Sequence, residues 1–118
     1  MKKLFALFAL FACISSSYSQ LNSNAEILKN DVTETYKMIK TFAEQNWKGD
    51  HSMMVYTINK QSDSFFEYFD TLKSKNYDEK ILFNAMTKWH VLIDGVKIYN
   101  YSMIMYTYKK QLKAKKSY

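Results

Sequence analysis

Between residues 25 and 47 the apolar side chains return every three to four positions. Leu28, Val32, Ile39 and Phe42 share one stripe, flanked by Ala25, Tyr36, Ala43 and Trp47. That spacing is the period of an amphipathic helix. Ser23-Asn24-Ala25-Glu26 has the spacing of a capping box and opens it. Lys48-Gly49-Asp50 closes it: Gly49 suits a left-handed C-terminal cap, and Asp50 suits the N-cap of a second helix. Met54, Ile58, Phe65, Phe69 and Leu72 line one side of that second helix. Its middle, Asn59 to Ser64, is polar, and Ser62 falls where the stripe calls for an apolar residue. Ser64-Phe65-Phe66-Glu67 has capping-box spacing too, so two short helices compete with one rod; the unbroken stripe favours the rod.

Asn76-Tyr77-Asp78-Glu79 offers a cap and two first-turn acids for a third helix. From there Leu82, Met86, Trp89, Ile93, Val96, Asn100, Met103 and Thr107 run as one stripe toward the lysine-rich end. These patterns predict an all-α fold: an antiparallel three-helix bundle with a long C-terminal helix over 77–115. The lengths do not match. The first two helices have room for roughly 36 Å each, whereas the third would reach roughly 55–60 Å. Beyond about Tyr101 it would lack cover, although Ser102 to Tyr108 is apolar on nearly every side. Two arrangements resolve this. The helix continues through Gly95 and its far half meets a partner, most simply a second copy. Alternatively, Asp94-Gly95 breaks it and 96–115 folds back as a fourth helix, giving a four-helix bundle. The stripe crossing Gly95 in register favours the continuous helix.

The N-terminus has another pattern. Met1-Lys2-Lys3, an apolar run from Leu4 to Ile14 and a serine-rich stretch to Ser19 have the three parts of a secretory signal peptide. The run is too short to span a bilayer, which takes about 20 residues. The expected cut lies between Ser19 and Gln20, leaving one helical domain over 20–118, periplasmic or secreted. Leu10-Phe11-Ala12-Cys13 loosely has the form of a lipidation box, and Cys13 would then be a membrane anchor. Cys13 is the single cysteine, so a chain cut after Ser19 contains none and owes its stability to packing.

Charge narrows the partners. Residues 20–94 hold nine lysines and eleven acids, whereas 95–118 hold six lysines and no acid. Every basic residue is lysine. Without arginine the chain lacks the planar fork that reads phosphates and bases in pairs, and export separates it from nucleic acid. No nucleic-acid partner is expected.

Candidate chemistry is sparse. His90 and Asp94, four residues apart on the expected helix, are weak candidates to share a metal ion. His51 and His90 with seven methionines raise a non-covalent haem, but methionine at helical spacing is ordinarily core. No nucleophile with a base, no phosphate loop and no metalloprotease motif occurs, so no enzyme and no cofactor is expected. The expected role is that of an exported binding protein. Its contact surface would lie on the C-terminal helix around Tyr101, Met105, Tyr106 and Tyr108, with a homodimer or another exported protein as partner. The alternative is peripheral binding to an anionic membrane through Lys109, Lys110, Lys113 and the lysines after them.

Overall fold

A computed structural model describes residues 20–117; the expected signal peptide and Cys13 lie outside these residues. The chain is mostly helical. In order it forms α1 (Ser23–Asp31), α2 (Thr33–Asn46), α3 (His51–Lys73), α4 (Glu79–Lys88), β1 (His90–Ile93), β2 (Val96–Tyr99) and α5 (Tyr101–Lys116).

The expected first helix is present with a kink. Helical hydrogen bonds continue on both sides of Val32, whose N–H donates to the Leu28 carbonyl at 2.9 Å while its carbonyl accepts from Tyr36 at 3.1 Å. Val32 itself leaves the helical region, at φ −131° and ψ 61°. Adjacent β-branched Val32 and Thr33 lower helix preference at that point. The first cap is Asn22 rather than Ser23, its side chain accepting from the Ala25 N–H at 2.9 Å. Gly49 has φ +85°, as a left-handed cap requires. Asp50 caps α3 by accepting from the Met53 N–H at 3.1 Å, and α3 is one rod as expected.

The polar middle of α3 is a hub. Asn59 holds the segment before α1: its Oδ1 accepts from the Asn22 N–H at 2.8 Å and its Nδ2 donates to the Gln20 carbonyl at 2.9 Å. Asp63 accepts from the side chains of Asn22 and Asn24 at 3.0 and 2.9 Å. Gln61, buried, donates to Asn100 Oδ1 at 2.8 Å and to the Ser102 hydroxyl at 3.0 Å, clamping the start of α5. The positions that weaken the helix stripe therefore secure two other segments to it.

The long third helix is not formed. The helix from Asp78 stops at Lys88, with Trp89 as its C-cap, and an antiparallel hairpin follows before helix resumes at Tyr101. The fold-back at Gly95 is real, but it uses strands over 90–99, so 96–99 does not belong to a fourth helix as the alternative required. The cause is local. His90 to Tyr99 is rich in β-branched and aromatic residues around Asp94-Gly95, and both turn residues take positive φ, 51° and 78°. Those are the dihedrals of a tight two-residue hairpin turn. The Trp89 carbonyl accepts from the Asn100 N–H at 3.0 Å, closing the hairpin at its base.

α4 and α5 consequently lie antiparallel. Trp89 Nε1 donates to the Thr107 hydroxyl at 2.8 Å, the Asp78 N–H donates to the Tyr108 hydroxyl at 3.1 Å, and Lys115 pairs with Asp78 at 2.7 Å. α5 also packs along α3, and α3 takes α1 and α2 on its other flank.

The core has two centres. One gathers Ala25, Leu28, Ile39, Ala43 and Ile58 from α1–α3; the other gathers Leu82, Ala85, Ile104, Met105 and Tyr108 from α4 and α5. Leu28, Ile39, Leu82 and Ile104 are fully buried, each contributing on the order of 1.5–3 kcal/mol. Tyr68 and Tyr99 touch both centres. Buried Tyr101 stands between them, with ring centroids 5.5 Å from Tyr68 and 6.2 Å from Tyr99. Burial, then the neighbouring Tyr68 and Tyr99, push the Tyr101 hydroxyl up to about 12.

Candidate interaction surface

α4 is a ten-residue helix with apolar residues on more faces than α5 can cover. Leu82 and Ala85 point inward and are buried. Phe83 sits one residue off that stripe, and Met86, partly buried, packs against the α4–α5 centre and lies one turn from Phe83. Phe83 is 68% exposed, the highest value among the large apolar side chains of the described residues.

Beside it runs an open groove of about 610 Å³, between the end of α3 and α4. Leu82 is its buried floor; Leu72, Tyr77, Phe83 and Met86 are its walls, with Glu79 and Lys80 on the rim. Met86 is steadied by the Tyr68 hydroxyl, which donates to its sulfur at 3.6 Å. Phe69, one turn before Leu72, is also exposed and lies under the Lys73 ammonium, 4.6 Å from the ring centroid. Phe83 and Met86 line a second, smaller cavity of about 100 Å³, completed by Thr87, His90, Lys97 and Tyr99. The two share Phe83 and Met86 as lining residues.

The residues expected to form the contact surface lie elsewhere. Tyr101, Met105 and Tyr108 are core, because the fold-back lets α3 and α4 cover the apolar half of α5. Tyr106 stays exposed, with Lys110 5.9 Å from its ring centroid. Lys109 pairs with Glu67 at 2.7 Å and Lys115 with Asp78, so two of the C-terminal lysines are engaged within the chain. Lys113 and Lys116 are exposed.

His90 and Asp94 no longer share a helix face. His90 opens β1 and Asp94 is in the turn, and among the described residues no group of three His, Cys, Asp or Glu side chains is placed to hold a metal. His51 opens α3 on an exposed turn. His90 Nδ1 is buried without a hydrogen-bond partner. Leu72, Leu82 and Met86 lie on the expected stripes, whereas Phe83 escaped the periodic reading because it lies off the stripe through Leu82 and Met86. The available signal was the doubling of large apolar residues at Leu82-Phe83 in so short a helix.

Comparison with protein-family models, with curated proteins and with solved structures gave no match.

Proposed function

We propose that the protein is a small exported binding module that takes a segment of another polypeptide into the groove beside α4. The carrying observation is Phe83, left in solvent beside an open groove walled by Leu72, Tyr77 and Met86, while Leu82 and Ala85 of the same helix are buried. Exposed contiguous apolar surface marks interaction sites more than isolated exposed residues do. The groove is open along its length, which suits side chains of a helix laid into it better than a small ligand that needs burial on most sides. Export rests on the leader pattern of residues 1–19; Asn59 of α3 donates to the Gln20 carbonyl, just beyond the expected cut. A chain cut after Ser19 keeps every hydrogen bond described above.

The test is a titration of the isotopically labelled protein with an amphipathic Leu/Ala helical peptide, followed by amide NMR. Shifts should cluster around Leu72, Phe83 and Met86 and vanish in Phe83→Ser, whose exposed position keeps the fold intact. Shifts scattered over the surface, or unchanged in Phe83→Ser, would show that the groove is not the binding site.

A further inference from the structure

We infer that Tyr68 is a positioning residue of the groove: its hydroxyl, placed from within the core, holds Met86 as a wall that a ligand meets already formed. This rests on the groove being the binding site.

Methionine is a poor wall by itself. It is unbranched, with three rotatable bonds and a soft sulfur, so it adapts to whatever surrounds it. Met86 is half-buried, packs against the α4–α5 centre and lines both the groove and the smaller cavity. A methionine free to change rotamer there would have to be ordered on binding, and the lost freedom would weaken affinity. Tyr68 removes that freedom across the α3–α4 junction. Its hydroxyl donates to the Met86 sulfur at 3.6 Å, and among the described residues this is the one hydrogen bond that either side chain makes.

The hydroxyl is itself well anchored. The Tyr68 ring has its centroid 5.5 Å from that of Tyr101 and 6.4 Å from that of Phe65, and it touches both centres of the core. Burial, then the neighbouring Tyr99 and Tyr77, push the hydroxyl up from its ordinary value, so it is protonated and a donor at neutral pH. Tyr68 is not a lining residue of either cavity. The core places the hydroxyl, the hydroxyl places the methionine, and only the methionine meets the ligand.

A double-mutant cycle tests this, read as affinity of the full chain for the amphipathic Leu/Ala helical peptide. Tyr68→Phe keeps the ring and removes the donor; Met86→Leu keeps a similar apolar volume and removes the acceptor. Tyr68→Phe should weaken the peptide about two- to fourfold, the low end for a neutral hydrogen bond because sulfur is a weak acceptor. The Met86 methyl resonance of the free protein should shift toward a rotamer-averaged position. In the Met86→Leu background the same substitution should leave affinity unchanged, which a role in core packing alone would not do. Equal weakening in both backgrounds would overturn the inference and make Tyr68 a core residue only. Unchanged affinity in Tyr68→Phe, or a Met86 methyl that does not move, would overturn it and leave the groove standing. A wild-type titration whose shifts miss Leu72, Phe83 and Met86 would remove the groove reading and this inference together.

Discussion

The two centres of the core are built differently. The α1–α3 centre packs aliphatic side chains against Tyr101, Phe65 and Phe66, and polar clamps close its edge, where Asn59 and Asp63 hold Asn22. The α4–α5 centre mixes aliphatic residues with Tyr108 and half-buried Trp89, whose polar atoms are tied to neighbouring elements. The first centre joins segments distant along the chain. The second is closed by one local hairpin, and it carries Phe83, the most exposed large apolar side chain of the described residues. The division is one of contacts: long-range clamps finish one half and a local hairpin closes the other, with the proposed groove at their junction.

The sharpest test of this division is to empty each centre in turn. Leu28→Ala and Ile104→Ala should each cost about 2–5 kcal/mol, read from urea unfolding. If the tyrosines between the centres couple them, either change lowers one common midpoint. If they do not, each lowers the transition of its own half. Gln61→Ala cuts the clamp between halves and should cost about 1–2 kcal/mol. Amide exchange at Ser102 and Met103 should accelerate while that at Leu28 stays slow.

Gly95→Ala targets the hairpin alone. Nothing lies within 4 Å of an added Cβ, so the cost is the left-handed backbone, about 1 kcal/mol, and thermal melting should show it. The smallest change is Asp78→Asn, which keeps a capping oxygen for α4 but loses the charge facing Lys115. The hydrogen bond from Lys115, then that from the Ile81 N–H, holds the Asp78 carboxyl below its ordinary 3.8. Its stabilising effect is therefore full above pH 3.8 and is lost as pH falls through the lower folded value. The melting temperatures of wild type and Asp78→Asn should differ at neutral pH and converge in acid.

Most of the α1–α3 half was legible in the sequence. The stripe from Leu28 to Phe42, the left-handed Gly49 and the Asp50 cap all follow from spacing and local chemistry. The α4–α5 half misled because one pattern serves two structures. Ile93, Val96 and Asn100 fit a helical period, yet the same stretch alternates across a hairpin face once Asp94-Gly95 turns. Four residues on either side are too few for periodicity to discriminate, and the β-branched run around an Asp-Gly pair was the better signal. With the helix drawn straight, Tyr101, Met105 and Tyr108 looked uncovered; folding back buries them. The uncovered surface moved to α4, where Phe83 belongs to no stripe. Lys97 and His90 become neighbours of one cavity only through the strand register, which no count of charges along the chain conveys.

The two tryptophans fall one to each half. Trp47 caps the C-terminus of α2 and is partly exposed, whereas Trp89 caps α4 with its indole N–H held by Thr107. The molecule thus carries a fluorescent reporter for each half. Replacing either one with phenylalanine leaves an emission that follows only the other half, and a stopped-flow trace then shows which half assembles first. The closing contacts suggest the order. Trp89 and Asn100 are eleven residues apart, whereas Asn22 must find Asn59 across thirty-seven. Shorter loops close at lower entropic cost, so the emission of Trp89 is expected to settle before that of Trp47.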